Sequence, residues 1–279
     1  DCSEDQSISV INNYIESAGL PVPVKLICNQ QNLGVSSSRH KAISESSTEF
    51  ISTLDGDDTI SPFKIQKEME AIDKFKCEVA ISDIKLLTIN GAQILNTRGY
   101  HQKSVESILN GLLSRSIPVP RDLTFSRNIY NKSGGFEPSF NLFEDWMLKQ
   151  RLAVFAGEQS WAHSGVVGTT YDRRNPGLSN KTPTQLMYAQ LLVLAKNIDL
   201  LADFDIDFVS VMLMLANVDK SSPLSLERFH QESESKSSSL NNQIFTCLNR
   251  MRLSMDTLPS YLSDDNRINI ILEELLISL

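Results

Sequence analysis

No cysteine pair of the CxxC kind occurs in this chain. Its four cysteines, Cys2, Cys28, Cys77 and Cys247, lie far apart, so neither a zinc site nor a disulfide framework is signalled and a reducing compartment is expected. Positive charge is also scarce. The formal net charge is −8 and no Lys/Arg stripe runs along any segment, which argues against nucleic acid and against electrostatic attachment to anionic lipid. No apolar run approaches the roughly 20 residues that a membrane span needs. The closest, Phe208 to Val218, is interrupted by Ser210 and Asn217 and reads as a buried helix. Walker A, GxGxxG, GxSxG and HExxH motifs are all missing, which removes the usual nucleotide-hydrolysis, dinucleotide, serine-hydrolase and zinc-protease readings. There is no internal repeat and no signal-peptide pattern.

What is present is ordinary for a soluble globular protein: 41% hydrophobic and 22% charged residues in 279, enough for one large or two modest domains. One stretch stands out. Phe50-Ile51-Ser52-Thr53-Leu54 is a strand-like run that ends in Asp55-Gly56-Asp57-Asp58, and Ser61-Pro62 then opens a helix as N-cap and first-turn proline. Acids delivered to the carboxyl end of a strand lie where an open α/β sheet binds its ligands. Crowded carboxylates repel one another unless a cation is present. An oxygen-only set of this kind suits Mg²⁺ or Mn²⁺ bridging protein and phosphate. A calcium EF-hand fails on spacing: with Asp55 at position 1, position 6 is Ile60 and position 12 is Gln66.

Around that stretch the spacing predicts alternating elements. A helix over 8–18 carries Ile8, Ile11 and Ile15 on one face and stops at Gly19. A strand over Val24 to Cys28 ends at Asn29, and a helix follows from about Val35 to Ser46. After the acidic loop come a helix with Ile65, Met69 and Ile72 on its apolar face, then a strand over Glu78 to Ser82 that ends at Asp83. Strands alternating with helices imply parallel βαβ units, with Asn29, Asp55 and Asp83 on one carboxyl edge. Right-handed crossover makes the first helix expect a strand before Asp1, as though the amino terminus were clipped. Further along, Leu86 to Leu95 reads as a hairpin centred on Asn90-Gly91. Val105 to Leu113 reads as a helix, Ser133-Gly134-Gly135-Phe136 as a turn, Leu142 to about Val154 as a helix, and Val166 to Tyr171 as a strand. From Thr182-Pro183 the chain reads as helical, with a linker over 232–239 and a last amphipathic helix through Ile268, Ile271, Leu272, Leu275, Leu276 and Leu279.

Five motifs in order resemble those of family-two glycosyltransferases with the GT-A fold. Asp1-Cys2-Ser3-Glu4-Asp5 is similar to their Asp-Asp-Gly-Ser-x-Asp loop, Asn32 to His40 to their Asn-x-Gly-x-x-x-Ala-Arg-Asn segment, and Leu54 to Asp58 to Leu-Asp-x-Asp-Asp. Gly134-Gly135-Phe136-Glu137 followed by Glu144-Asp145-Trp146 resembles the Gly-Gly-Phe-Asp and Glu-Asp-Trp pair of the acceptor half. Tyr171 to Ser179 resembles the closing Tyr-Arg-x-x-x-Gly-x-Ser stretch more loosely.

The resemblance implies an α/β, GT-A-like domain over 1–180, a mostly parallel sheet flanked by helices, followed by an α-helical region over 181–279. It implies an inverting, metal-dependent transferase that moves a sugar from a nucleotide-sugar, a UDP-sugar first of all, to a hydroxyl on a glycan or lipid-linked glycan, in cell-surface polysaccharide or glycoconjugate synthesis. Asp57, with Asp55 nearby, would hold Mn²⁺ or Mg²⁺ against the diphosphate. Asp1 would lie by the nucleoside, and Arg39 would position the donor or form a structural salt bridge. Asp145 would be the general base, with Gly135, Glu144 and Trp146 on the acceptor side, Trp146 as a platform or as core. His40 and Cys2 depart from the family pattern. Without the Gln-x-x-Arg-Trp signature of processive synthases, a single-addition enzyme is implied, in the cytoplasm or at the inner face of the membrane, with homo-oligomerisation through the C-terminal helices as an option. The alternatives are a nucleotidyltransferase on a similar sheet and a non-catalytic GT-A-like scaffold.

Overall fold

A computed structural model describes residues 1–140, 142–159, 161–174 and 183–207, with the helical positions 210, 211, 214, 215, 244, 246, 248 and 249. The Gly177-Leu178-Ser179 motif, the 232–239 linker and the amphipathic stripe from Ile268 onward lie outside the described residues, as does most of the run from Phe208 to Val218. Oligomer formation through the last helices therefore falls outside them too.

The elements in order are α1 (Ser7–Ser17), α2 (Val35–Ser44), β1 (Phe50–Ser52), β2 (Thr59–Ile60), α3 (Lys64–Phe75), β3 (Val79–Thr88), β4 (Gly91–Leu95), α4 (Val105–Ser114), β5 (Thr124–Ser126), α5 (Arg127–Lys132), α6 (Glu144–Ala156), β6 (Trp161–Asp172) and α7 (Pro183–Leu201). The sheet runs β1-β5-β3-β6-β2, with β4 paired to β3.

Its centre is β3, where Val79, Ala80 and Ile81 are fully buried, as a strand covered on both faces demands. One side is covered by α3, which packs on β6 and β3. On the other side α4 and α7 enclose α6. Ile108, Leu109, Leu112, Trp146, Leu152, Leu191 and Leu194 meet there in one core.

The sheet is mixed where a mostly parallel one was expected. Among the described strands only β3 and β6 pair in parallel, and the other pairings are antiparallel. Two further expectations are corrected. Residues 24–28 join no ladder, because none of the described strands lies beside them, and α1 forms but buries none of its residues. Asp83 does not end its strand. β3 continues to Thr88 and turns through Ile89-Asn90 into β4. Asp83 sits in mid-strand, where it accepts the Thr97 N–H at 2.8 Å and lies 2.9 Å from His163 Nε2. It belongs to the interior of the sheet.

Candidate active site

The loop after β1 carries the acids, and its arrangement follows from what holds each one. Asp58 is its anchor. The Asp58 N–H donates to the Asp55 carbonyl at 3.1 Å. Its fully buried carboxylate accepts from Arg121 at 2.7 Å and from the Asp172 N–H at the end of β6. Burial pushes its pKa up, and Arg121 opposes that. Asp55 is partly open and is paired with two guanidiniums, those of Arg39 and, at 2.9 Å, Arg121. Asp57 is exposed, with no hydrogen-bond or ion-pair partner among the described residues. Oxygens of Asp55, Asp57 and Asp58 lie within 4.8 Å of one another. The donor set fits a hard divalent cation: carboxylates only, one of them unsatisfied and facing the cavity.

The second acidic corner opens α6. Phe143 takes a left-handed φ of 61° just before the helix, and Glu144 and Asp145 fill its first turn, where the helix dipole favours negative charge. Glu144 is buried and pairs with Arg39 at 2.6 Å. Burial and the neighbouring Asp145 raise its pKa, and Arg39 opposes them. The Asp145 carboxylate is 43% exposed to the cavity and accepts from Lys149, one turn on, at 2.5 Å. Burial opposes its ionisation, but Lys149, Arg39 and Arg121 outweigh that and hold it well below the ordinary carboxylate range.

Both corners face one cavity of 720 Å³, lined by Asp55, Gly56 and Asp57 on one side and by Glu144, Asp145 and Lys149 on the other. Arg39 spans them directly, pairing with Asp55 and with Glu144 and lying 5.5 Å from the Phe136 ring centre.

Of the remaining expected residues, Asp1 and Gly135 do not line the cavity and Trp146 does. Asp1 is outside the cavity wall. Its carboxylate accepts the N–H groups of Leu33 and Gly34, each at 2.8 Å, and Asn29 Nδ2 at 2.9 Å. It thereby ties down the turn whose Gly34 has a φ of 82° and leads into α2. Gly135, expected on the acceptor side, is fixed by packing against Tyr130. A Cβ there would stand 2.6 Å from Tyr130 Cζ at a φ of 67°. Trp146 borders the cavity but is no open platform: it is 2% exposed, and its Nε1 donates to the Leu112 carbonyl at 2.9 Å. The ring volume is needed between α4 and α6.

Sequence reasoning missed Arg121, Asp122, Arg115 and Lys149, which all line the cavity. Arg121 lies 3.6 Å from the Tyr171 ring centre. Burial lifts the Asp122 pKa to about 6 against the pull of Arg121, and its Oδ2 has no hydrogen-bond partner. Only Lys149 left a sequence signal, as a cation one helical turn after Asp145.

A mixed sheet with an acidic loop at one strand end and a second acidic corner on a following helix defines the GT-A class of fold. Residues 1–133 match the model of Glycosyl transferase family 2. Among curated proteins, the succinoglycan biosynthesis protein ExoO of Rhizobium meliloti (strain 1021) is 26% identical over 95 residues. That match spans 34% of this chain and only 26% of ExoO. Among solved structures, S. aureus TarS 1–349 in complex with UDP-GlcNAc superposes with a TM-score of 0.60 at 16% identity, over 100% of this chain and 77% of that one. Longer S. aureus TarS gives 0.59 at 15% identity, over 100% of this chain and 46% of that one. At such identities the likeness establishes the fold. Among the described residues no helix is long and apolar enough to cross a membrane.

Proposed function

We propose that this protein transfers a sugar from a nucleotide-sugar to a hydroxyl acceptor, with inversion at the anomeric carbon and one addition per encounter. The observation that carries this reading is the single cavity in which Arg39 joins the Asp55–Asp57 corner to the Glu144–Asp145 corner.

Asp57, with Asp55, would hold Mn²⁺ or Mg²⁺, and a cation there supplies Lewis-acid relief of charge on a departing diphosphate. Arg39 and Arg121 keep Asp55 oriented toward that place. Asp145, ionised throughout the neutral range, takes the proton from the acceptor hydroxyl. The freed oxygen attacks the anomeric carbon from the face opposite the diphosphate. The bond from that carbon to the diphosphate oxygen breaks, and its electron pair leaves with the nucleoside diphosphate. A positioned base typically contributes about 10² to 10⁴-fold. Glu144, bound to Arg39, sets the first turn of α6 and so the direction in which Asp145 points.

The UDP and UDP-GlcNAc complexes of the TarS fold relative favour a UDP-sugar as donor. The family match and ExoO favour assembly of a cell-surface polysaccharide or glycoconjugate, and with it a place in the cytoplasm or at the inner membrane face. Assaying a panel of sugar nucleotides with wild-type and Asp145→Asn protein tests the reading. Transfer or donor hydrolysis should vanish in D145N while uptake of UDP with Mn²⁺ persists. Retained turnover in D145N removes Asp145 as the base.

A further inference from the structure

Most cations of this cavity are already neutralised by its acids. Arg39 is shared by Asp55 and Glu144, Arg121 by Asp55 and Asp58, and Lys149 is held by Asp145. Arg173 is engaged as well, and Asp172 is paired with Arg174. Three wall charges remain without an ion-pair partner among the described residues. Two are acids: Asp57, on the side where a cation fits, and Asp122, whose pKa burial lifts to about 6. The third is a cation, Arg115, which lines the same cavity yet makes no hydrogen bond or ion pair among those residues.

Arg115 is held where it stands. It follows α4 at a left-handed φ of 54°, and its guanidinium carbon lies 5.4 Å from the ring centres of both Phe143 and Trp146. Aromatic contacts of this kind restrain the guanidinium yet leave its N–H groups to bind something else. Phe143 and Trp146 flank Glu144 and Asp145, so Arg115 stands on the acceptor side of the cavity, and it feels the Asp145 carboxylate electrostatically. A planar fork of donors without an anion is matched by a carboxylate or a phosphate, which it binds in a bidentate way.

We propose that the acceptor carries an anionic group, carboxylate or phosphate, close to the hydroxyl that receives the sugar, and that Arg115 binds it. The inference rests on the glycosyltransferase reading of the same cavity. It makes the acceptor a charged glycan, a uronic-acid or phosphodiester chain, in place of a neutral one.

Calorimetry on the full chain, saturated with UDP and Mn²⁺ at fixed ionic strength, tests this. Saturation keeps the probes out of the diphosphate place. The probes are glucuronic acid, glycerol 3-phosphate and glucose. At least one anionic probe should bind about tenfold or more tighter than glucose, the worth of one charge-assisted contact. Arg115→Met should erase that preference, and Arg115→Lys should keep part of it. Preference for glucuronic acid alone assigns a uronic-acid acceptor, for glycerol 3-phosphate alone a phosphodiester, and for both a site that reads charge. Glucose binding as tightly as the anions, or an R115M protein that keeps the preference, overturns the inference. Wild-type protein that takes up no UDP fails at the earlier step and removes the glycosyltransferase reading itself.

Discussion

The Asp145–Lys149 contact sets a tension for the base role proposed for Asp145. A carboxylate clamped by an ammonium is reliably ionised, but protonating it leaves the ammonium, only 5% exposed, without its counter-ion. Replacing Lys149 by Met leaves burial and Glu144 to push Asp145 upward. The Asp145 carboxyl resonance, followed by NMR with D145N for assignment, should then titrate at higher pH in K149M than in wild type. An unmoved titration would mean that Arg39 and Arg121 suffice. Asp122 works in the opposite direction. Its folded-state pKa, about 6, lies above the unfolded value near 3.8, so the shift costs nothing below pH 3.8 and its full penalty above pH 6. Converted by linkage, that penalty is of the order of 3 kcal/mol. Asp122→Asn should therefore raise the melting temperature at pH 8 and have little effect at pH 4. Equal effects at both pH values would contradict the linkage. Neither Asp122 nor Arg121 was legible as part of the site in the sequence. Asp122 has no motif, and Arg121 before it reaches Asp58 across 63 positions through sheet pairing that periodicity does not encode.

Among the elements, helices were the more legible. Ser104 caps α4 by accepting the Ser107 N–H, and Pro183 opens α7, both signals local to the chain. Strand ends were less so. The run ending at Ser82 looked complete, yet β3 extends to Thr88 because β6 and β4 give it partners that far. The two-residue β2 exists only because β6 lies beside it. The Gly134-Gly135 turn between α5 and α6 was readable, and its reason is steric. Gly135→Ala would force a side chain into left-handed backbone and against the Tyr130 ring. Overpacking and the backbone penalty together should cost about 2 to 4 kcal/mol, seen as a lower urea midpoint with an unchanged slope. A midpoint equal to wild type would mean that Tyr130 yields freely.

At the scale of the whole molecule, the sequence pointed to both acidic corners, but their union in one cavity is a property of the fold. Residues 55 and 144 meet through Arg39 because β5, β3 and β6 place the β1 loop and the start of α6 at the same end of the sheet. The proposed function divides the labour across that cavity, with metal and donor binding at Asp57 and proton removal at Asp145. The most direct test is calorimetric uptake of UDP with and without Mn²⁺ by Asp57→Asn and Asp145→Asn proteins. D57N should lose the Mn²⁺-dependent part of UDP binding, while D145N should keep it. Undiminished Mn²⁺-dependent uptake by D57N would contradict the account.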